Sequence, residues 1–444
     1  MLKLGAAGGL GVLLSSCAAP PTATPVPTPR STSKQQAAPA TPAKPPLAAA
    51  NLKVWMWWAD PVASVKLMGA SFTKVHPNVT VTAEAPPNYW TKLQTALAGG
   101  VGPDIYFMNS VNYWAWSAKG ILRDLDPLIQ RDNFSFAHFW KNAVGYYKFR
   151  GKSFGLPYMY TTIVLYYNED VIKQAGLTPP AEIEDKFNWD TLREYALKLT
   201  KQQGGKTTFW GFMSTEGIET GWLNWVRANG GDFLNPNHTK CVIDSPASQD
   251  AWRYLTDLSL KDKVSPDPAA LQAGGDMFMT GKIAMAPNGS WQMKTYNTQL
   301  KAFKYNIATI PRSPKTNKSG GTTNIVGLVI NNSSKAVEQS WDMVKHMLSK
   351  PSQDLLAEAD VLAPIRNDSA ALYYSAKLGP ANREAAMRMQ QWTTPLPAHD
   401  KVTWDEMMKP TTDWQNQIFL GKVSVKSGLE KMAADVNGLF AKAT

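Results

Sequence analysis

LPYMYTTIVLYYNED, residues 156–170, is the stretch whose reading decides the fold. Pro157 restricts the backbone just ahead of Tyr158 and Tyr160, and the apolar run Ile163–Tyr167 carries the Val and Tyr residues that favour an extended strand. The stretch divides into a crossing, Pro157–Thr161, and a first strand of a new lobe, Ile163–Tyr167. Tyr160 and Thr161 then sit where a ligand could meet them, whereas Tyr166 and Tyr167 are packing residues.

Working outward, the 444 residues are too many for one simple core, so two lobes are the default. Upstream, NLKVWMWWAD makes a short buried strand, Leu52–Trp55, with Trp57, Trp58 and Asp60 at its C-terminal end, where open α/β sheets bind ligands. Val65, Met68, Phe72 and Val75 follow at helical spacing, then a strand Val79–Thr82, a helix with Trp90, Leu93 and Leu97, and a third strand Asp104–Met108. This β-α-β-α-β order implies a parallel sheet covered by helices. Asn109 and Tyr113 follow the third strand directly and are site candidates.

Downstream, Trp189, Leu192, Ala196 and Leu199 share a helical face capped by Asn188, and Ser245-Pro246 opens another helix. Between them, Trp222 and Trp225 could pack as i, i+3 neighbours or face a cleft. GKIAMAPNGSW, residues 281–291, is a strand running into Asn288 and Gly289, whose flexible backbone leaves Trp291 poised at a helix start. Strands at Asn306–Ile310 and Ile325–Ile330 and a closing helix with Leu429, Met432, Val436 and Leu439 complete the chain.

The N-terminus reads as an address. MLKLGAAGGLGVLLSSC has a basic start, a small-residue and apolar segment, and an ending that resembles the bacterial lipobox, which implies a lipid on Cys17. LKLGAAGG usually follows a twin-arginine pair in exported proteins. None is present here, so a longer precursor with Arg-Arg upstream is expected, or failing that a short Sec-type signal. Residues 18–50 carry nine prolines and no acid, the composition of a disordered spacer that holds a body off a lipid surface. With Cys17 lipidated, Cys241 stands alone as a buried small hydrophobe.

Net charge is +11. Setting aside Lys3, Arg30, Lys34 and Lys44 leaves 42 bases against 35 acids, +7 for the body. The bases are scattered, without a basic arm or a nucleic-acid motif, so no nucleic-acid partner is expected. The five histidines are isolated, no Cys or His stands at metal-ligand spacing, and no phosphate loop or dinucleotide fingerprint is present; no metal and no cofactor are expected.

Taken in order, GPDIYF (102–107), LPYMYTTIVLYYNEDVIKQAGLTPP (156–180), NWDTLREYALKL (188–199), GGDFL (230–234), GKIAMAPNGSW (281–291) and LAPIRN (362–367), with the lipobox at Cys17, resemble the extracellular solute-binding proteins of bacterial sugar ABC importers, the family of maltose-binding protein. The resemblance implies an α/β, two-lobed periplasmic-binding-protein-like fold of type II. Each lobe would be a mainly parallel sheet flanked by helices and joined to the other by hinges. Lobe one would hold 51–157 and 312–350, lobe two 162–305 and 358–444, with hinges near 158–161, 310–311 and 351–356.

It also implies a monomer anchored at the outer face of a bacterial membrane, binding a mono- or oligosaccharide and handing it to permease subunits. Sugars need aromatic plates for their C–H faces and amides or carboxylates for their hydroxyls. The candidate plates are Trp57, Trp58, Tyr160, Trp222 and Trp291, with Trp225 and Trp392 as further ones. The polar candidates are Asp60, Glu84, Asn109, Thr161, Asn288, Asn324 and Arg366. Where maltose binders carry charges after the third strand, this chain has Asn109-Ser110-Val111-Asn112, and Thr161 replaces a frequent carboxylate, so maltose itself does not follow.

Two other functions compete. A lipid-anchored glycosidase needs two carboxylates about 5–10 Å apart; Asp60, Glu84, Glu216 and Glu219 could serve, but no spacing singles out a pair. The +7 body also leaves room for a binder of a polyol or glycerol phosphate ester.

Overall fold

The computed structural model describes residues 46–443. The expected signal, the lipidated Cys17 and the spacer up to residue 45 lie outside the described residues. The last spacer residues are not loose, because they carry apolar side chains next to a sheet edge: Leu47 is buried, the Ala48 carbonyl accepts a hydrogen bond from Gln339 Nε2 at 2.9 Å, and Ala50 is already in a strand.

Three strands, β1 (Ala50–Trp55), β2 (Val79–Glu84) and β3 (Ile105–Asn109), pair in parallel around β1, as a β-α-β-α-β run must. A hairpin, β4 (Lys148–Phe149) and β5 (Lys152–Ser153), leads to β6 (Leu156–Tyr160), and after Thr161 and Thr162 the chain enters β7 (Ile163–Asn168). It continues through β8 (Lys201–Gln203), β9 (Lys206–Phe212), β10 (Ile283–Gly289) and β11 (Tyr305–Ala308). After these come β12 (Gly321–Thr323), β13 (Val326–Ile330), β14 (Ala363–Pro364) and β15 (Thr393–Pro395).

These strands form two main sheets, ordered β14-β6-β13-β3-β1-β2 and β11-β7-β10-β9-β8. Neither is mainly parallel. β13 runs antiparallel to both β3 and β6, and β7 antiparallel to both β10 and β11. The reason is entry point: β13 arrives from the other sheet, so its first residue, Val326, lies beside Asn109, the last of β3.

The strand limits set where the chain passes from one sheet to the other. Tyr158, Met159 and Tyr160 belong to β6, so the first passage between sheets is Thr161–Thr162. Residues 312–323 pack against the helix Trp222–Ala228: Thr322 N donates to Asn224 Oδ1 at 2.8 Å, and a Cβ on Gly320 would lie 2.0 Å from the Asn224 carbonyl. Residues 351–356 lie inside the helix Lys350–Glu358, and Ala363–Pro364 edge the first sheet, not the second.

Each sheet has its own packed interior. In the first, the Tyr147 ring covers Gly327, where a Cβ would sit 2.2 Å from the ring, and its hydroxyl donates to the Met108 and Ile325 carbonyls. In the second, the expected helices form as Trp189–Leu199, capped by Asn188, and Pro246–Leu260, capped by Ser245. Cys241 is buried, and burial pushes its thiol up to about 12, so it is unreactive at neutral pH.

Candidate functional site

A cavity of about 340 Å³ opens at the C-terminal ends of the first-sheet strands, where the chain passes between the sheets. Trp57, Trp58, Asp60, Thr161, Asn324, Val326 and Leu362 line it from the first sheet and the crossings, and Glu219, Trp291, Gln292 and Thr295 from the second. A larger cleft of about 600 Å³, between Gln94, Trp116, Asn332 and Asp405, lies away from these strand ends. The smaller cavity is the candidate site because both sheets build its walls at the strand ends where α/β folds bind ligands.

The first aromatic wall follows β1. The strand buries Val54 and Trp55, and the chain then turns so that Trp57 and Trp58 stay partly exposed. Their rings stand 4.8 Å apart, Trp57 stacks on Trp90 at 5.6 Å, and Phe107 meets both edge-on at 6.2 and 5.9 Å. Asp60 opens the helix Asp60–Val75, an N-terminal position that favours an acid.

The opposite wall is Trp291, directly before the helix Gln292–Gln299. Its ring lies across Gly289: a Cβ there would come within 2.2 Å of three ring atoms, so only glycine leaves room. The Gly289 carbonyl is held by Tyr166 Oη at 2.8 Å, and Ser290 N donates to the Thr162 carbonyl at 2.8 Å, which ties Trp291 to the crossing.

Asn324 joins the walls. Its Oδ1 accepts from Ser110 N and Oγ, both at 3.1 Å, and its own N donates to Thr161 Oγ1 at 3.1 Å. Its side chain also hydrogen-bonds Glu219, whose carbonyl accepts from Asn224 Nδ2 at 2.9 Å and Thr322 Oγ1 at 2.7 Å. Burial raises the Glu219 carboxyl to about 7, against the smaller lowering effect of the Asn324 hydrogen bond.

That shift has a measurable consequence. A carboxyl raised from 4.5 to about 7 on folding binds its proton more tightly in the native state, so stability falls as pH rises between those values. At about 1.36 kcal/mol per pH unit the cost saturates near 3 kcal/mol above pH 7. Glu219→Gln removes it. Denaturant unfolding is expected to show equal stability for variant and wild type near pH 4 and a more stable variant at pH 8; a constant difference across that range contradicts the assignment.

Of the residues named from sequence, the cavity brings together Trp57, Trp58, Asp60, Thr161, Trp291 and Asn324. The others lie elsewhere. Trp222 and Trp225 are buried in the core, Trp222 with its Nε1 on Gln415 Oε1 at 2.9 Å, because the helix that carries them is covered almost all round. Tyr113 is buried against Tyr147 and donates to its carbonyl; Tyr160 is buried with its hydroxyl on Asn142 Nδ2 at 2.8 Å.

Asn109 caps the helix Ser110–Ala118, accepting from Asn112 N, and Asn288 Oδ1 accepts from Gly289 N. Glu84 is exposed at the end of β2, Arg366 forms a two-bond pair with Asp368, and Trp392 packs partly buried on the core. The cavity adds Gln292, Thr295, Val326 and Leu362, which the sequence does not single out, and Glu219, which it offers only as a glycosidase carboxylate. Thr295 carried a usable signal, since it stands four residues after Trp291 on one helical face. Among the described residues, no group of three or more His, Cys, Asp or Glu side chains is placed to hold a metal ion, and no helix is long and apolar enough to cross a membrane.

Residues 68–388 match the family described as bacterial extracellular solute-binding protein. A binding protein of Brucella abortus is 24% identical over 384 residues, 84% of this chain and 88% of that protein. The lactose-binding protein of Rhizobium radiobacter is 25% identical over 275 residues, 60% of this chain and 62% of that one. Among solved structures, an ABC substrate-binding protein from Listeria monocytogenes in complex with cycloalternan superposes with a TM-score of 0.78 at 23% identity, covering 88% of this chain and 99% of that one. That likeness is one of fold: two α/β lobes.

Proposed function

The chain belongs to the bacterial extracellular solute-binding proteins, and from that premise we propose that it is the substrate-binding component of an ABC importer, capturing a sugar or oligosaccharide between its two sheets and delivering it to a membrane permease. One observation carries the sugar reading: Trp57 and Trp58 from one side and Trp291 from the other face a single cavity whose polar groups are Asp60, Glu219, Gln292, Thr295 and Asn324. Aromatic rings suit the C–H faces of a sugar, and amides and carboxylates suit its hydroxyls. The lactose-binding relative and the cycloalternan-bound structure point the same way.

Micromolar affinity requires about 8 kcal/mol, which stacked rings and several hydrogen bonds out of water can supply without covalent or metal chemistry. The lobes follow the two sheets in this account, with hinges at Thr161–Thr162 and Asn324–Ile325. Closure is favoured by contacts the ligand makes to both lobes at once. The protein works as a monomer held at the outer face of a bacterial membrane by lipid on Cys17, a role supported by the lipobox-like LSSC and the proline-rich spacer.

The alternatives are tested together. A thermal-shift screen of mono- and oligosaccharides beside glycerol 3-phosphate is expected to raise the melting point with a glycan and not with the phosphate ester. The bound glycan is expected back chemically intact. A shift with the phosphate ester alone transfers the site to that ligand class; cleavage of the glycan makes the protein a hydrolase working through carboxylates such as Asp60 and Glu219.

A further inference from the structure

We propose that the cleft has a second compartment, between Ser110, Asn142, Tyr146 and His238, that accepts a further glycosyl unit, so that the ligand is an oligosaccharide chain. The proposal rests on the sugar-binding reading above and specifies its substrate class.

This compartment is a cavity of about 280 Å³. One hydrogen-bonded pair divides it from the first: Ser110 lines it, and Ser110 N and Oγ both bond Asn324 Oδ1, the side chain that lines the first cavity. The first cavity alone lies at the lower end of the roughly 300–1,000 Å³ range of small-ligand sites. A chain lying past Asn324 would fill both.

The wall chemistry is that of a neutral, hydroxyl-bearing ligand. Tyr146 is partly exposed, and Pro395 and Leu396 add apolar surface. His238 sits at φ 57° with its ring stacked on Trp114 at 4.7 Å and 14°. Its Nδ1 lies 2.7 Å from the Ala398 carbonyl, a bond only a protonated Nδ1 can make, so Nε2 of the neutral ring is an acceptor. Asn142 Nδ2 donates to Tyr160 Oη and to the Gln390 carbonyl, which leaves Oδ1 as its accepting atom. Ser110 Oγ gives its proton to Asn324 and is an acceptor as well. Three acceptors beside an aromatic ring match sugar hydroxyls, which donate. The far side is not closed off: His238 and Pro395 also border a third cleft of about 650 Å³.

The test is a calorimetric titration of the full chain with glucose, mannose and arabinose oligomers of one to five units, using wild type, Tyr146→Ala and His238→Ala. Wild type is expected to bind a chain one or two units longer at least tenfold more tightly than the shortest glycan it binds. Both variants are expected to lose that gain while keeping the Kd of the shortest glycan within twofold. Equal affinity at all lengths, or a gain that survives in both variants, overturns the second compartment alone; absence of binding to any glycan overturns the sugar reading and this inference with it. The two substitutions lie on different elements, so if one protein fails to fold the other decides.

Discussion

Trp291→Ala is expected to weaken binding of the preferred glycan by roughly 30- to 700-fold, the equivalent of about 2–4 kcal/mol for a well-packed aromatic contact. The ring is partly exposed in the cavity, faces the Trp57–Trp58 wall from the second sheet, and is fixed by the glycine backbone beneath it. Because it lies at the cavity edge of the core, its loss should lower the melting point by only a few degrees. Calorimetry and a melting curve on the same preparation separate the two effects. Unchanged affinity removes Trp291 from the site, and a protein that no longer folds makes it a core residue.

Arg383→Ala is expected to have the largest effect on stability, about 3–5 kcal/mol, because it leaves the partner of a buried charge pair uncompensated. Arg383 is fully buried; its guanidinium bonds Asp360 and the Gly379 carbonyl and lies 4.1 Å over the Tyr373 ring. Asp360 accepts in turn from Asn297 Nδ2 at 3.0 Å, which links the segment after the Lys350–Glu358 helix to the helix that follows Trp291. Denaturant unfolding of Arg383→Ala, Asp360→Ala and the double variant measures the coupling. Additive losses would mean that the pair does not act as a unit.

Much of this site can be read from sequence where a local rule points to it. Trp57, Trp58 and Asp60 follow a short buried strand, and Trp291 follows a strand and a glycine; both are positions that α/β geometry turns into cavity walls. Thr161 and Asn324 stand at passages between sheets, and the change of pattern at Pro157–Ile163 marks the first of these.

The rest depends on contacts that no local rule contains. Trp222 and Trp225 belong to a helix buried on nearly every face, so its sequence lacks the amphipathic stripe that tells inside from outside. Arg366 was a candidate for a ligand hydroxyl, yet Asp368, two residues on, occupies both ends of its guanidinium. Glu219 acquires its raised carboxyl from burial and its partner Asn324 from a distant crossing. Strand direction was also hidden: β13 has the apolar run of a parallel strand but enters from the opposite end.

The proposed role of this cleft is to hold a glycan without altering it. The most direct measurement is calorimetry of wild type with the best glycan of the screen, followed by mass analysis of the recovered sugar. One site per chain, a saturating isotherm and an intact glycan are predicted. Turnover of the glycan, or saturable binding that Trp291→Ala leaves untouched, would contradict the account.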